Sequence, residues 1–223
     1  MPCSQKALLF DIDGTLADTD ALHLQAFNKV FGPRGHVFDR ARASNELMGF
    51  SNASIGERFL PDEPPERRLA IMDEKEAAFR KLVAGKIKPL PGLMPLLARA
   101  DQAGVPMVAV TNAPRLNAEM LLAGLGISDR FRRVVIGDEL SHGKPHPLPY
   151  LEGLRSVNAA AKFSVAFEDS RSGVQAATAA GITTIGIRTS LGHADLIEAG
   201  ALATAENFDD SKLIDLVAAT MNW

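Results

Sequence analysis

Asp11 and Asp13 stand one residue apart at the end of an apolar run, Leu8-Leu9-Phe10, and Gly14-Thr15 follow them. In an open parallel sheet, ligands bind beyond the carboxyl ends of the strands. Two carboxylates on one strand tip repel each other unless a cation or a proton lies between them. A hard cation such as Mg2+ meets that need, because it takes oxygen ligands and keeps waters that a phosphate can displace. An ordinary turn explains the same residues, since Asp and Gly are common turn formers. A calcium loop of the EF-hand type does not, because its twelfth position would be Leu22 where that loop requires Glu.

Three further polar groups follow apolar runs. Val110-Thr111-Asn112 ends one run and offers a hydroxyl that can donate to a phosphate oxygen, or cap a helix. The two roles are compatible, because a helix N-terminus itself attracts anions. His142-Gly143-Lys144-Pro145-His146 places a lysine between a permissive and a restricted backbone position, so its side chain is aimed. Gly137 to Lys144 is not a P-loop: five residues separate the glycines, and Pro145 replaces the Ser or Thr. His142 and His146 are four apart, but Pro145 and Pro147 bar a regular helix, so no metal pair is expected from them. Val165-Ala166-Phe167-Glu168-Asp169 ends a third run in two acids. They could be a helix N-terminal charge pair, or, beside Asp11 and Asp13, the oxygen donors of an octahedral Mg2+ site.

The stretch Asp11-Ile12-Asp13-Gly14-Thr15-Leu16-Ala17-Asp18-Thr19 closely resembles the signature of the haloacid dehalogenase superfamily, most of whose members are Mg2+-dependent phosphohydrolases. Thr111, Gly143-Lys144-Pro145 and Glu168-Asp169 match its second, third and fourth motifs, in family order. The resemblance implies Asp11 as a nucleophile that becomes an aspartyl phosphate, and Asp13 as the general acid and base. It implies Thr111, with Asn112, as phosphate binders, and Lys144 as the group that neutralises nucleophile and phosphate. For Mg2+ it implies the Asp11 carboxylate, the Asp13 carbonyl and Asp169 as ligands, with Glu168 ligating through water or orienting waters. His23, twelve residues beyond Asp11, becomes a gating candidate near the acid–base Asp. The branch containing beta-phosphoglucomutase carries Gly-x-Ser-Arg in its cap, where this chain has Gly49-Phe50-Ser51-Asn52. An Asn lacks the cationic fork that holds a second phosphate. The reading is therefore hydrolysis of a small phosphomonoester, with a sugar phosphomutase as the alternative, and Asn52 and Arg58 as candidate substrate contacts.

These groups need elements to position them. Apolar runs at Ala7–Phe10, Met107–Val110, Val134–Ile136, Ser164–Phe167 and Thr183–Ile187 read as strands, with helical patterns between them. That alternation implies a doubly wound α/β parallel sheet, Rossmann-like. Residues 20–86 break it, with helical periodicity only: Leu22, Phe27 and Phe31, then Ile55 and Phe59, then Leu69, Met72, Phe79 and Leu82. The expected organisation is a core of residues 1–17 and 88–223 and a helical cap of residues 18–87, returning through the Pro-rich linker Lys86-Ile87-Lys88-Pro89-Leu90-Pro91-Gly92.

Bulk properties agree with an enzyme of this size. The chain has 223 residues, 46% of them apolar, which suffices for a real core. A net charge of −3 gives no electrostatic footprint for nucleic acid. No segment is long and apolar enough to span a membrane or serve as a signal peptide, so a cytoplasmic protein acting on a small phosphorylated metabolite is expected. Cys3 is the only cysteine and reads as an ordinary terminal thiol, and no pattern specifies an oligomeric state. Two rivals share features of the chain. A haloalkanoic acid dehalogenase lacks an acid–base Asp two residues after its nucleophile, and a receiver domain would be about half this length without an insert. A catalytically inactive binding protein of the same fold is the non-enzymatic alternative.

Overall fold

The computed structural model describes residues 5–223, so Cys3 lies outside the described residues. Six strands form one parallel sheet: β1 (Leu8–Phe10), β2 (Met107–Thr111), β3 (Phe131–Ile136), β4 (Val165–Glu168), β5 (Thr183–Ile187) and β6 (Ala203–Ala205). Their order is β3-β2-β1-β4-β5-β6. Chain order reverses on either side of β1, which puts the topological switch point at its carboxyl end. Leu9 pairs with Val108 on one side and with Ala166 on the other.

The central strands are apolar throughout because both of their faces are covered. On one face Phe10 stacks on Phe167 at 4.8 Å between centroids, and Phe208 meets Phe167 edge-on at 5.3 Å. On the other, Leu9, Val108, Val110 and Ala166 pack against Tyr150. The covering helices are α5 (Leu93–Gln102), α6 (Arg115–Gly124), α7 (Leu148–Ser156), α8 (Arg171–Ala179), α9 (His193–Ala199) and α10 (Ser211–Met221).

Between β1 and α5 the chain forms α1 (Asp20–Phe31), α2 (Arg40–Glu46), α3 (Asn52–Phe59) and α4 (Pro65–Val83). They enclose an aromatic cluster in which Phe27, Phe31, Phe38 and Phe59 meet mostly at steep angles, the geometry that ring quadrupoles favour. Side-chain caps start α2 and α3: Asp39 accepts from the Arg42 amide at 2.8 Å, and Ser51 from that of Ser54 at 3.2 Å. The two connections between this insert and the sheet run side by side, tied by the Leu90 amide donating to the Leu16 carbonyl at 2.9 Å. No helix among the described residues is long and apolar enough to cross a membrane.

The five strands expected from apolar runs are present, with ends shifted by up to three residues. Among the elements not anticipated are α2 and β6. The sequence of α2, Arg-Ala-Arg-Ala-Ser-Asn-Glu, buries only Ala43 and so carries no apolar stripe. The edge strand β6 is three residues of Ala and Thr, too short and too mildly apolar to stand out.

Candidate active site

The polar groups that end β1, β2 and β4 converge with Lys144 beneath the helical insert, in a cleft with an empty volume of about 600 Å³. Lys144 is the hub. Its buried ammonium donates to Asp11 Oδ1 at 2.6 Å, Glu168 Oε1 at 2.6 Å and the Val110 carbonyl at 2.7 Å. An ammonium has three protons, so none is left over, and Lys144 acts on an incoming anion through its charge. Burial works to discharge it, but Asp11 and Glu168 outweigh burial and hold its pKa above the usual lysine value.

Asp11, Glu168 and Asp169 each offer an oxygen within 4.8 Å of the others, and all three are buried. Burial first, and then Glu168, push the Asp11 carboxyl well above the usual range, against the pull of Lys144. Burial, with Asp11, Asp20 and Glu168 adding to it, does the same to Asp169. Buried acids that repel each other in a hard-oxygen cluster suit a divalent cation, which would replace the protons. Gly14, at φ 75°, lets the turn after Asp13 approach Asp169; a Cβ there would lie 2.0 Å from the Asp169 carboxylate.

Glu168 also accepts from the Tyr150 hydroxyl at 2.6 Å. Its first oxygen is therefore shared by Lys144 and Tyr150, while the second faces Ser170 at 3.3 Å. Ser190 bridges Asp169 and Asp20, with its oxygen 2.7 Å from Asp20 Oδ2, although its single proton serves one acid at a time.

The Asp13 side chain turns the other way. Its Oδ1 accepts from Thr19 at 2.8 Å and meets His23 Nε2 at 3.0 Å. Its Oδ2 is buried and has no hydrogen-bond partner. Burial raises its carboxyl, but the His23 ring and its hydrogen bond, the Thr19 hydroxyl and the Lys75 charge beyond hold it below the usual range. His23 stacks on Phe79 at 3.7 Å, and its Nδ1 faces the Lys75 ammonium at 3.2 Å. Lys75 in turn donates to Glu76 at 2.9 Å, and Glu76 accepts from Asn117 of α6 at 2.6 Å.

Thr111 accepts from the Ala113 amide at 2.9 Å, which leaves its hydroxyl proton for another acceptor in the cleft. The Asn112 side chain is committed elsewhere. It accepts from the Lys144 amide at 3.0 Å and donates to the carbonyls of Lys144 at 3.1 Å and Gly49 at 3.2 Å. It is a strut between the lysine loop and the helical insert, and only its backbone is free to meet a phosphate. Asn52 lines the cleft. Arg58 does not, contrary to its reading as a substrate contact: the turn of α3 carries it outward, to Glu46 at 3.7 Å and the face of Phe59. His142 and His146 stack on each other in an exposed loop.

Sequence reasoning missed Tyr150, Lys75, Glu76, Asn117 and Ser190. The pair in α4 did leave a signal. Lys75 and Glu76 fall between Met72 and Phe79 on the helix stripe that the apolar residues mark as buried.

The family model for haloacid dehalogenase-like hydrolases matches residues 8–187. The chain belongs to that family. Protein CbbY of Rhodobacter capsulatus is 31% identical over 195 residues, 81% of this chain and 84% of that protein. Fructose-1-phosphate phosphatase YqaB of Escherichia coli is 32% identical over 185 residues, 81% of this chain and 95% of that protein. Among solved structures, a mutant of CbbY from Rhodobacter sphaeroides in complex with xylulose-(1,5)bisphosphate superposes with a TM-score of 0.80 at 31% identity, covering 92% of this chain and 95% of that one.

Proposed function

We propose that this phosphohydrolase hydrolyses a small phosphomonoester with Mg2+, through an aspartyl phosphate on Asp11. The observation that carries the reading is the opposite treatment of two neighbouring carboxylates. Asp11 lies against Lys144 and the acidic cluster, while Asp13 presents an unpartnered buried oxygen on the helical side of the cleft. An oxygen inside the cluster that would hold the cation suits the nucleophile, and a free oxygen outside that cluster suits the acid–base group of a phosphoryl transfer.

In the first step an Asp11 oxygen attacks phosphorus, the bond to the leaving oxygen breaks, and Asp13 gives that oxygen a proton. In the second, water attacks the phosphorus, Asp13 takes its proton, and phosphate leaves with Asp11 restored. Thr111 and the charge of Lys144 stabilise the transferring oxygens. Asp11, Asp169 and the Asp13 carbonyl would hold Mg2+, which when bound supplies Lewis-acid stabilisation to the same oxygens. The helical insert, residues 18–87, acts as the cap. It meets the core through the Gly49 carbonyl, which accepts from Asn112 and from Ser172 at 2.6 Å, and through Glu76. The relatives named for phosphatase activity support the reaction class.

Release of p-nitrophenol from p-nitrophenyl phosphate with Mg2+, abolished by EDTA, tests the reading. No release under any metal condition would leave an inactive binding protein of this fold in its place. The mutase alternative loses support from Arg58, which the structure turns away from the cleft.

A further inference from the structure

The cap wall of the cleft carries a buried acid that the proposed chemistry does not use. Glu76 lines the cleft at full burial, with Lys75 on one oxygen and Asn117 on the other. Asn52, at the position where the mutase branch has an arginine, reaches the same carboxylate. Burial opposes its charge, but Lys75 outweighs burial and holds Glu76 below the usual carboxylate range.

The basic groups that line the cleft are already engaged. His23 faces Asp13, Lys75 faces Glu76, and Lys144 faces Asp11 and Glu168. A second phosphate or a carboxylate on the leaving group would enter a low-dielectric pocket whose cap-wall cation, Lys75, is already neutralised by Glu76. A hydroxylated, uncharged leaving group meets acceptors instead, since carboxylate oxygens take hydroxyl protons.

We propose that Glu76, backed by Asn52 and Asn117, is a specificity-determining residue that rejects leaving groups bearing a second anionic group and admits neutral, hydroxylated ones. The inference rests on the phosphomonoesterase reading and narrows its substrate class to monophosphates of polyols and sugars. It separates this chain from the relative crystallised with a bisphosphate.

Binding tests it independently of turnover. In the Asp11→Asn protein with Mg2+, calorimetry would compare fructose 1-phosphate with fructose 1,6-bisphosphate, and glycerol 3-phosphate with 3-phosphoglycerate. We expect the member with the uncharged leaving group in each pair to bind about tenfold more tightly or better. Glu76→Gln in the same background should shrink both ratios to about threefold or less, and Asn52→Arg should raise affinity for the bisphosphate. The Arg variant sits at a half-exposed helix start, so it keeps the comparison informative where the Gln variant does not fold. Equal or reversed ratios with Glu76 intact, no binding of either monophosphate, or ratios unmoved by the variants would overturn the proposal. Phosphate release by the wild-type enzyme is read separately. Its absence with all four compounds would sink the phosphatase reading while the binding ratios stand on their own.

Discussion

The Lys75 ammonium donates to Nδ1 of His23 at 3.2 Å, and this fixes the tautomer of the ring. An ammonium has no lone pair to accept with, so Nδ1 must be the unprotonated nitrogen. The ring proton is then on Nε2, pointing at Asp13. Held between a lysine and an aspartate, the ring orients Asp13 through Oδ1 and leaves the opposite oxygen, which has no other partner, to exchange a proton with the substrate. We expect His23→Ala to cost about 10- to 100-fold in kcat on a sugar phosphate, less than the full loss of one acid–base group because Asp13 itself remains. The loss should be small on p-nitrophenyl phosphate, whose leaving group needs little protonation. Equal losses on both substrates would show that His23 serves folding or binding instead.

The two aspartates should separate cleanly. Asp11→Asn removes the nucleophile, and turnover should vanish while the far-ultraviolet circular dichroism is unchanged. Asp13→Asn should keep formation of the phosphoenzyme with an activated ester but slow its hydrolysis, with an overall loss of about 100- to 10,000-fold. Rapid-quench trapping with 32P-labelled substrate reads the two steps directly. Phosphoenzyme in the Asp11 variant would contradict the assignment.

Asp169 and Glu168 are neighbours with different surroundings, and their variants should differ accordingly. Asp169 has no cation within its own hydrogen bonds, only Thr15 and Ser190. Asp169→Ala should raise the Mg2+ needed for half activity by about tenfold or more, because an anionic ligand is lost. Glu168 is held by Lys144 and Tyr150, so Glu168→Gln should change the Mg2+ requirement by less than about threefold. It should lower thermal stability instead, since breaking one side of a buried charge pair costs about 3–5 kcal/mol. A Mg2+ titration and a melting curve on each variant decide the matter.

The pH dependence of stability follows from the same cluster. Asp11 and Asp169 have carboxyl pKa values raised in the folded state, chiefly by burial. Stability from a raised acid is present below its unfolded pKa, about 3.9, and is lost as pH rises through the folded value. Asp13 is depressed, and its contribution runs the other way, lost as pH falls through its folded value. In EDTA the melting temperature should therefore decline from mildly acidic to neutral pH. Mg2+ requires the ionised acids and stabilises only the folded protein, by about 2.7 kcal/mol at a hundredfold excess over its Kd. The Mg2+-induced rise in melting temperature should grow over the same range. A larger rise at pH 5.5 than at pH 8 would contradict the cation site.

The groups that the sequence revealed and those it hid differ for a physical reason. Asp11, Thr111 and Asp169 each follow a run that is apolar because a central parallel strand is buried on both faces, so the run announces the site. Lys144 was legible through its Gly and Pro neighbours. Lys75 and Glu76 sit in a helix rich in charges, where two more look solvated until the helix is wound and they fall beside Met72 and Phe79. Asn117 and Tyr150 are buried polar groups in ordinary helices, and only three-dimensional contact with Glu76 and Glu168 gives them roles. Arg58 illustrates the reverse error, since a cation near Asn52 in sequence is carried outward by the turn of α3.

The choice between hydrolysis and phosphoryl relocation turns on the cap wall. A mutase must keep its bisphosphorylated intermediate bound, let it reorient, and protect the aspartyl phosphate from water. That needs strong binding of a phosphate that is not being transferred, the task for which an arginine fork is suited. This chain has Asn52 there, a carboxylate beside it, and its nearby Arg58 paired with Glu46. We therefore expect beta-glucose 1-phosphate to yield inorganic phosphate, with little glucose 6-phosphate. A coupled glucose-6-phosphate dehydrogenase assay, run beside a phosphate assay, measures both products in one reaction. Asn52→Arg alone should bind the bisphosphate more tightly without converting the enzyme, because Glu76 still competes for the new guanidinium, whereas Asn52→Arg with Glu76→Gln frees the fork fully and should raise the share of glucose 6-phosphate. Efficient glucose 6-phosphate formation by the wild-type protein, stimulated by a trace of the 1,6-bisphosphate, would show that some other group holds the second phosphate and that the enzyme is a mutase.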